Sequence, residues 1–133
     1  MTDLTLPSNA RRTLHKVDLT RDGEYKEGDD GREVVTDLSE ANVVSSLAPD
    51  FPTVVYPWHR PVLDLDIPAF LVPSSTPGHS HLYIDHEVPD EVFWRLCDAL
   101  AEAGILQEGY VSASKSRGYT SVRLPWIKKG ATA

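Results

Sequence analysis

The chain has 133 residues and a formal net charge of −7, and this length suits one small domain. Its single cysteine excludes a disulfide framework and a cysteine-based zinc site. No apolar run reaches the roughly 18 residues that a membrane span requires, so we expect a cytoplasmic protein with no membrane partner.

Charge is distributed unevenly along the chain. Residues 110–133 carry five basic and no acidic side chains, whereas residues 51–109 carry two basic and nine acidic ones. This separation suits a site where acids hold metal ions and cations hold phosphate. It equally suits a basic terminus that pairs with its own acidic core. Both interpretations stay open at the level of sequence.

The first part of the chain predicts little regular structure. We expect a flexible arm over residues 1–12 and one folded domain over residues 13–133, with its core at about 53–127. A short strand is expected around Leu14. Three glycines among the charged residues 21–31 predict a solvated loop or hairpin tip.

Two further elements are predicted before the middle of the chain. Residues 39–47 favour a short helix, because a serine and an acidic residue open a run that ends on apolar side chains. Residues 53–56 lie between prolines, so they can form at most a short edge strand.

The middle of the chain carries the densest group of candidate site residues. Residues 62–67 alternate, so a strand there places Asp64 and Asp66 on one face and Leu63 and Leu65 on the other. Two carboxylates roughly 6 to 7 Å apart on one face can share a divalent cation. Oxygen ligands of this kind suit magnesium or manganese.

Two more strands are predicted directly after this one. Residues 69–72 form an apolar run, residues 74–78 have the composition of a turn, and residues 81–85 alternate again. In the last strand, His81 and Asp85 share a face. If the strands belong to one sheet, these two side chains join the aspartates on its polar face.

The strand with two aspartates, the small-residue turn and the following strand that reads HLY resemble the first two motifs of the archaeo-eukaryotic primase superfamily, the primase-polymerases. The match covers about residues 62–83. It implies that Asp64 and Asp66 bind the catalytic divalent metals. It also implies that His81, with the turn that contains Ser75, contacts an incoming nucleotide. The same stretch and its C-terminal continuation are similar to small proteins of actinobacterial phages, which implies the host cytoplasm.

The clearest helix is predicted at residues 89–103, with a proline in its first turn and Gly104 at its end. Its apolar stripe includes Leu96 and Leu100, at helical spacing. We expect this stripe to be buried against the apolar face of the sheet, which would leave the polar face uncovered.

Residues 110–113 and 119–124 predict two further strands, joined by a basic turn. This region and the tail after it hold cations beside aromatic side chains, which is the combination that contacts nucleic-acid phosphates and unstacked bases. An ordinary amphipathic hairpin has the same composition. The candidate phosphate-binding residues are Arg117, Arg123, Lys128 and Lys129.

The predicted fold is therefore α+β, a small single domain with an antiparallel or mixed sheet and one main amphipathic helix packed on one face. Two functions fit the sequence. The first is a reduced primase-like module that binds a nucleotide or nucleic-acid phosphate through Mg²⁺ or Mn²⁺, in which any catalysis would depend on Asp64, Asp66 and His81. The alternative is a non-catalytic phage-type accessory protein that binds a host or phage protein through the sheet face or the basic tail.

Overall fold

The computed structural model describes residues 11–26, 28, 31–49 and 57–127. The fold is α+β, as predicted, with antiparallel strands and α-helices. Contacts within the chain cluster in two compact units, Met1–Asp64 and Leu65–Ala133. No helix in the described ranges is long and apolar enough to cross a membrane.

A small antiparallel sheet forms the first unit. Its strands are β1 (Leu14–Lys16), β2 (Glu33–Val35) and β3 (Val43–Val44), in the order β2-β1-β3. The strand predicted around Leu14 is thus confirmed, and it is central because it pairs with a neighbour on each side. Leu14 and Val17 are buried and form the apolar centre of this unit.

The side chain of Asn42 extends the pairing between β1 and β3. The Val17 N–H donates to Asn42 Oδ1 at 2.9 Å, and Asn42 Nδ2 donates to the Val17 carbonyl at 2.8 Å. A carboxamide offers the same donor and acceptor as a peptide unit, so it satisfies backbone groups beside the buried Val17. Nearby, the buried His15 places its Nε2 2.8 Å from Ser45 Oγ.

The helix predicted at residues 39–47 is wrong. A single 3₁₀ turn, Leu38–Glu40, begins after Asp37, whose carboxylate accepts the Ser39 N–H at 3.0 Å. The chain then enters β3. A helix of nine residues, as predicted, has little stability of its own. Val43 and Val44 are β-branched residues, which suit a paired strand. Pairing with β1 therefore decides the conformation.

The structure has a tight turn at residues 20–24, where the predicted loop or hairpin tip of residues 21–31 begins. The Thr20 N–H donates to the Glu24 carbonyl, and the Gly23 N–H donates to the Thr20 carbonyl, both at 2.9 Å. Gly23 has a φ of 84°, a value that favours glycine. The first ten residues of the predicted arm and the edge strand predicted at residues 53–56 lie outside the described residues.

A β-hairpin opens the second unit. Its strands are β4 (Ala69–Pro73) and β5 (Ser80–Ile84), paired antiparallel. The turn between them is closed by the Ser74 N–H, which donates to the His79 carbonyl at 2.9 Å. These two strands and their turn agree with the prediction from alternation and turn composition.

Two helices complete this unit. The first, α1 (Asp90–Glu102), confirms the helix predicted at residues 89–103, and α2 (Glu108–Arg117) follows after a short connection. Cys97 of α1 and Val111 of α2 are buried. Lys115 Nζ lies 2.7 Å from Asp98 Oδ1, which gives an exposed ion pair that links α2 to α1.

The strands predicted at residues 110–113 and 119–124 are wrong. The first range lies inside α2, and the second has no regular secondary structure. The sequence holds the ends of a helix here: Glu108 in the first turn, basic residues in the last turn, and Gly118 with a φ of 93° as the C-terminal stop. A period-of-two pattern over so few residues does not outweigh these signals.

Candidate functional site

The predicted strand at residues 62–67 is not formed. These residues have no strand pairing, Leu63 is 74% exposed, and Leu65 is also exposed. Prolines at both ends limit the stretch, and alternation sorts side chains onto two faces only when the strand is extended and paired. The expected burial of the two leucines against α1 is therefore wrong.

The two candidate metal ligands are exposed within this stretch. Asp64 ends the first unit and Asp66 belongs to the second. Among the described residues, no group of three or more His, Cys, Asp or Glu side chains is placed to hold a metal ion. The pairing of the two carboxylates around a cation stays a prediction.

The other residues predicted from the middle of the chain lie on the β4–β5 hairpin. His81 is in β5, opposite Val72 of β4, and is half-buried. Asp85 follows β5, and its N–H donates to the Pro68 carbonyl at 2.9 Å. Ser75 is exposed in the turn. The hairpin therefore holds these residues, but among these three only His81 lines a concave surface of the unit.

That concave surface is a groove of about 610 Å³, which we call the helix–hairpin groove. β5, α1, the segment at residues 120–123 and Tyr110 of α2 all contribute to its lining, and we call the α1 side the floor of the groove. Its lining side chains are mostly apolar. The lining residues are His81, Leu82, Ile84, Phe93, Leu96, Cys97, Leu100, Leu106, Tyr110, Thr120, Ser121, Val122 and Arg123.

The groove is open because the hairpin does not close onto α1. Leu82 on the strand side is 59% exposed, and Leu96 on the helix side is 42% exposed. Ile84 is exposed as well. The apolar stripe of α1, which the sequence predicts as buried core, thus forms the floor of a solvent-filled cleft.

A few polar groups belong to the groove lining. The Tyr110 hydroxyl donates to the Ser121 carbonyl at 3.0 Å, which ties the segment at residues 120–123 to α2. Arg123 is the only arginine or lysine among the lining residues, and none of them carries a carboxylate. The mostly apolar lining therefore includes one positive charge, to which His81 adds a polar imidazole.

Arg117 is not among the residues that line the groove. The Arg117 guanidinium lies 5.8 Å from the centre of the Tyr119 ring, within cation–π range. Lys128 and Lys129 lie outside the described residues. Among the described candidate residues drawn from the sequence, the structure thus brings His81 and Arg123 to one surface.

Cys97 is buried at the floor of the groove. Burial raises the pKa of the Cys97 thiol, the Asp98 carboxylate raises it further, and the Lys115 ammonium works in the opposite direction. A raised pKa keeps the thiol protonated near neutral pH, so this side chain acts as a small apolar group and not as a nucleophile.

Sequence analysis misses the openness of the groove and the part played by Tyr110 and residues 120–123. The helix-end signals around α2 identify the element that carries Tyr110. No comparable signal reports that α1 and the hairpin stand apart, because an apolar stripe has the same sequence whether it is covered or exposed.

The chain matches no protein-family model, no curated protein and no solved structure.

Proposed function

We propose that the chain is a non-catalytic accessory module that binds another protein, and that the helix–hairpin groove is the binding surface. On the resemblance of the sequence to phage proteins, the partner is a host or phage protein. The observation that carries the proposal is the open, mostly apolar lining of the groove, in which Leu82 and Leu96 remain largely exposed. Apolar clefts with a few polar groups at the edge are typical of binding surfaces.

The energetics favour an occupied groove. Complete burial of a leucine or isoleucine side chain contributes about 1.5 to 3 kcal/mol, and Leu82, Ile84 and Leu96 each leave roughly half of that burial unrealised. A partner that covers all three would gain about 3 kcal/mol from these side chains. Central apolar contacts of this kind carry most of the affinity in protein interfaces.

The test is selection of binders from a library of random displayed peptides, followed by affinity measurement on two matched variants. Val92 and Leu96 lie on α1 and are 41% and 42% exposed, but only Leu96 lines the groove. We expect Leu96→Glu to weaken the selected peptides by more than about tenfold, because a buried charge would be left without a partner. Val92→Glu should change affinity by less than about twofold.

Two results would overturn the proposal. One is the absence of any selected peptide. The other is a set of peptides that bind both variants equally well, because such peptides do not occupy the groove. Circular dichroism of both variants verifies that α1 is retained, so that a loss of binding is not a loss of fold.

A second candidate function is favoured by the presence of His81 and Arg123 on the same groove. The resemblance to primase-polymerases implies a nucleotide contact for His81, and the Arg123 guanidinium is a group that binds phosphate. Titration with a nucleoside triphosphate and with a single-stranded oligonucleotide, each with and without manganese, tests this function. Binding that weakens steeply with salt, with a flatter slope in Arg123→Gln, would support it.

A further inference from the structure

The outer edge of β5 has backbone groups available for pairing. Within the described residues, β5 pairs with β4 on one side and has no strand on the other. Hydrogen-bonded and non-hydrogen-bonded pairs alternate along an antiparallel ladder. At the two ends of the hairpin, the bonds from Ser74 N–H to His79 O and from Asp85 N–H to Pro68 O fix which pairs are hydrogen-bonded.

Counting inward from these bonds, the peptide groups of His81 and Tyr83 face β4, and those of Leu82 and Ile84 face outward. The Ile84 carbonyl already accepts a bond from the His86 N–H at 3.0 Å. The outward-facing N–H groups of Leu82 and Ile84 and the Leu82 carbonyl therefore form a short edge of two donors and one acceptor.

The outward-facing peptide groups belong to residues that line the helix–hairpin groove, since Leu82 and Ile84 are among its lining residues. A strand that pairs with this edge would lie about 4.7 to 4.9 Å from β5. It would therefore be adjacent to the groove.

The two edges of the hairpin differ in how well they are protected against pairing with another strand. By the same alternation, Pro73 lies at an outward-facing position of β4, where it offers no N–H donor. β5 reads SHLYI, without proline, lysine or an acidic residue. Natural sheets usually protect exposed edges with such residues, and an unprotected edge is a template for another strand.

We propose that the partner binds by β-strand addition to the outer edge of β5, as one extended segment with apolar side chains at alternate positions and a carboxylate near Arg123. This inference rests on the proposed function and specifies its partner. Alternate side chains of an added strand point to the same side, so one set contacts Leu96 and Leu100 on the floor of the groove. The acidic residue complements Arg123 in a lining without carboxylates.

The experiment uses the full chain and the peptides from the selection described above. Amide hydrogen exchange by NMR is measured with and without saturating peptide. We expect exchange at Leu82 and Ile84 to slow by at least about tenfold, because their N–H groups gain partners. Exchange at His81 and Tyr83 should change much less, because their N–H groups already face β4.

A peptide-side control separates backbone pairing from simple filling of the groove. N-methylation of the peptide amides that face β5 removes their donors and leaves the side chains in place. We expect this change to weaken binding by at least about tenfold, whereas N-methylation outside the paired segment should have little effect. Leu82→Ala, which keeps the backbone donor, should retain the protection pattern at reduced affinity.

The outcomes distinguish the two proposals. Selected peptides with alternating apolar residues that protect Leu82 and Ile84 support strand addition. Selected peptides with helical spacing, or peptides that depend on Leu96 but leave these two amides unprotected, overturn strand addition and leave the protein-binding function in place. A selection without binders overturns both.

Discussion

Gly109 within α2 and Gly118 directly after it allow a direct test of α2, which forms where the sequence predicts a strand. Gly109 lies in the first turn of α2, and Gly118 follows its last turn with a φ of 93° and a ψ of 8°. A Cβ atom at either position would meet no heavy atom within 4 Å. Alanine substitution therefore probes backbone conformation alone, without a steric clash at either site.

The two substitutions should have opposite effects on the free energy of unfolding. Gly118→Ala places a side chain in the left-handed region, which costs about 1 to 2 kcal/mol. Gly109→Ala removes a flexible residue from a helix, which stabilises by about 0.5 to 1 kcal/mol. The two positions are about 13 Å apart along the helix axis, so the effects should add in the double variant.

The assay is urea unfolding followed by circular dichroism. Both α-helices of the described residues belong to the second unit, so the helical signal reports on the part of the chain that carries the substitutions. Destabilisation by both variants would contradict the helix at Gly109, and no effect of Gly118→Ala would contradict the left-handed stop. Stabilisation by Gly109→Ala alone would support the helix but not the stop.

Three further predictions concern α1 and its contacts. Leu96→Ala should lower the free energy of unfolding, measured with urea, by about 1 to 2 kcal/mol. This loss is smaller than the roughly 2 to 5 kcal/mol typical of a buried leucine, because the Leu96 side chain is 42% exposed. A larger loss would mean that the groove is closed in solution. The pKa of Cys97 is raised in the folded state, so its contribution to stability is complete below the unfolded pKa of about 8.5 and is lost as pH rises through the folded value. Cys97→Ala should accordingly flatten the alkaline loss of stability measured by urea unfolding across that pH range, and an unchanged profile would contradict the raised pKa. The Lys115–Asp98 pair is exposed on both sides, so a double-mutant cycle with alanine should give a coupling below about 1 kcal/mol, and a larger value would indicate a pair shielded from water.

Local sequence signals are sufficient to predict an element when residues within or next to the segment mark its two ends. The pattern around α1 combines apolar residues at helical spacing with Pro89 before the helix and Gly104 after it, and each of these signals acts within the segment itself. The β4–β5 hairpin was predictable for the same reason, because its two strands are joined by a short turn with a glycine at a φ of 79°.

Predictions failed where a segment depends on a distant partner. Residues 62–67 alternate as a strand does, but a strand needs a neighbour to pair with, and the structure supplies none in its described part. Val43 and Val44 were assigned to a helix, and pairing with β1 makes them a strand. The hydrogen bonds that decide the second case join residues far apart in sequence.

The sequence by itself determined the α+β class, the hairpin, α1 and two residues of the groove, His81 and Arg123, as candidates for binding. Only the tertiary structure decided that these two residues share a surface and that the apolar stripe of α1 remains open beneath them. Periodicity records which side chains lie on one face of an element. Whether another element covers that face depends on how the chain closes in three dimensions, which local patterns do not encode.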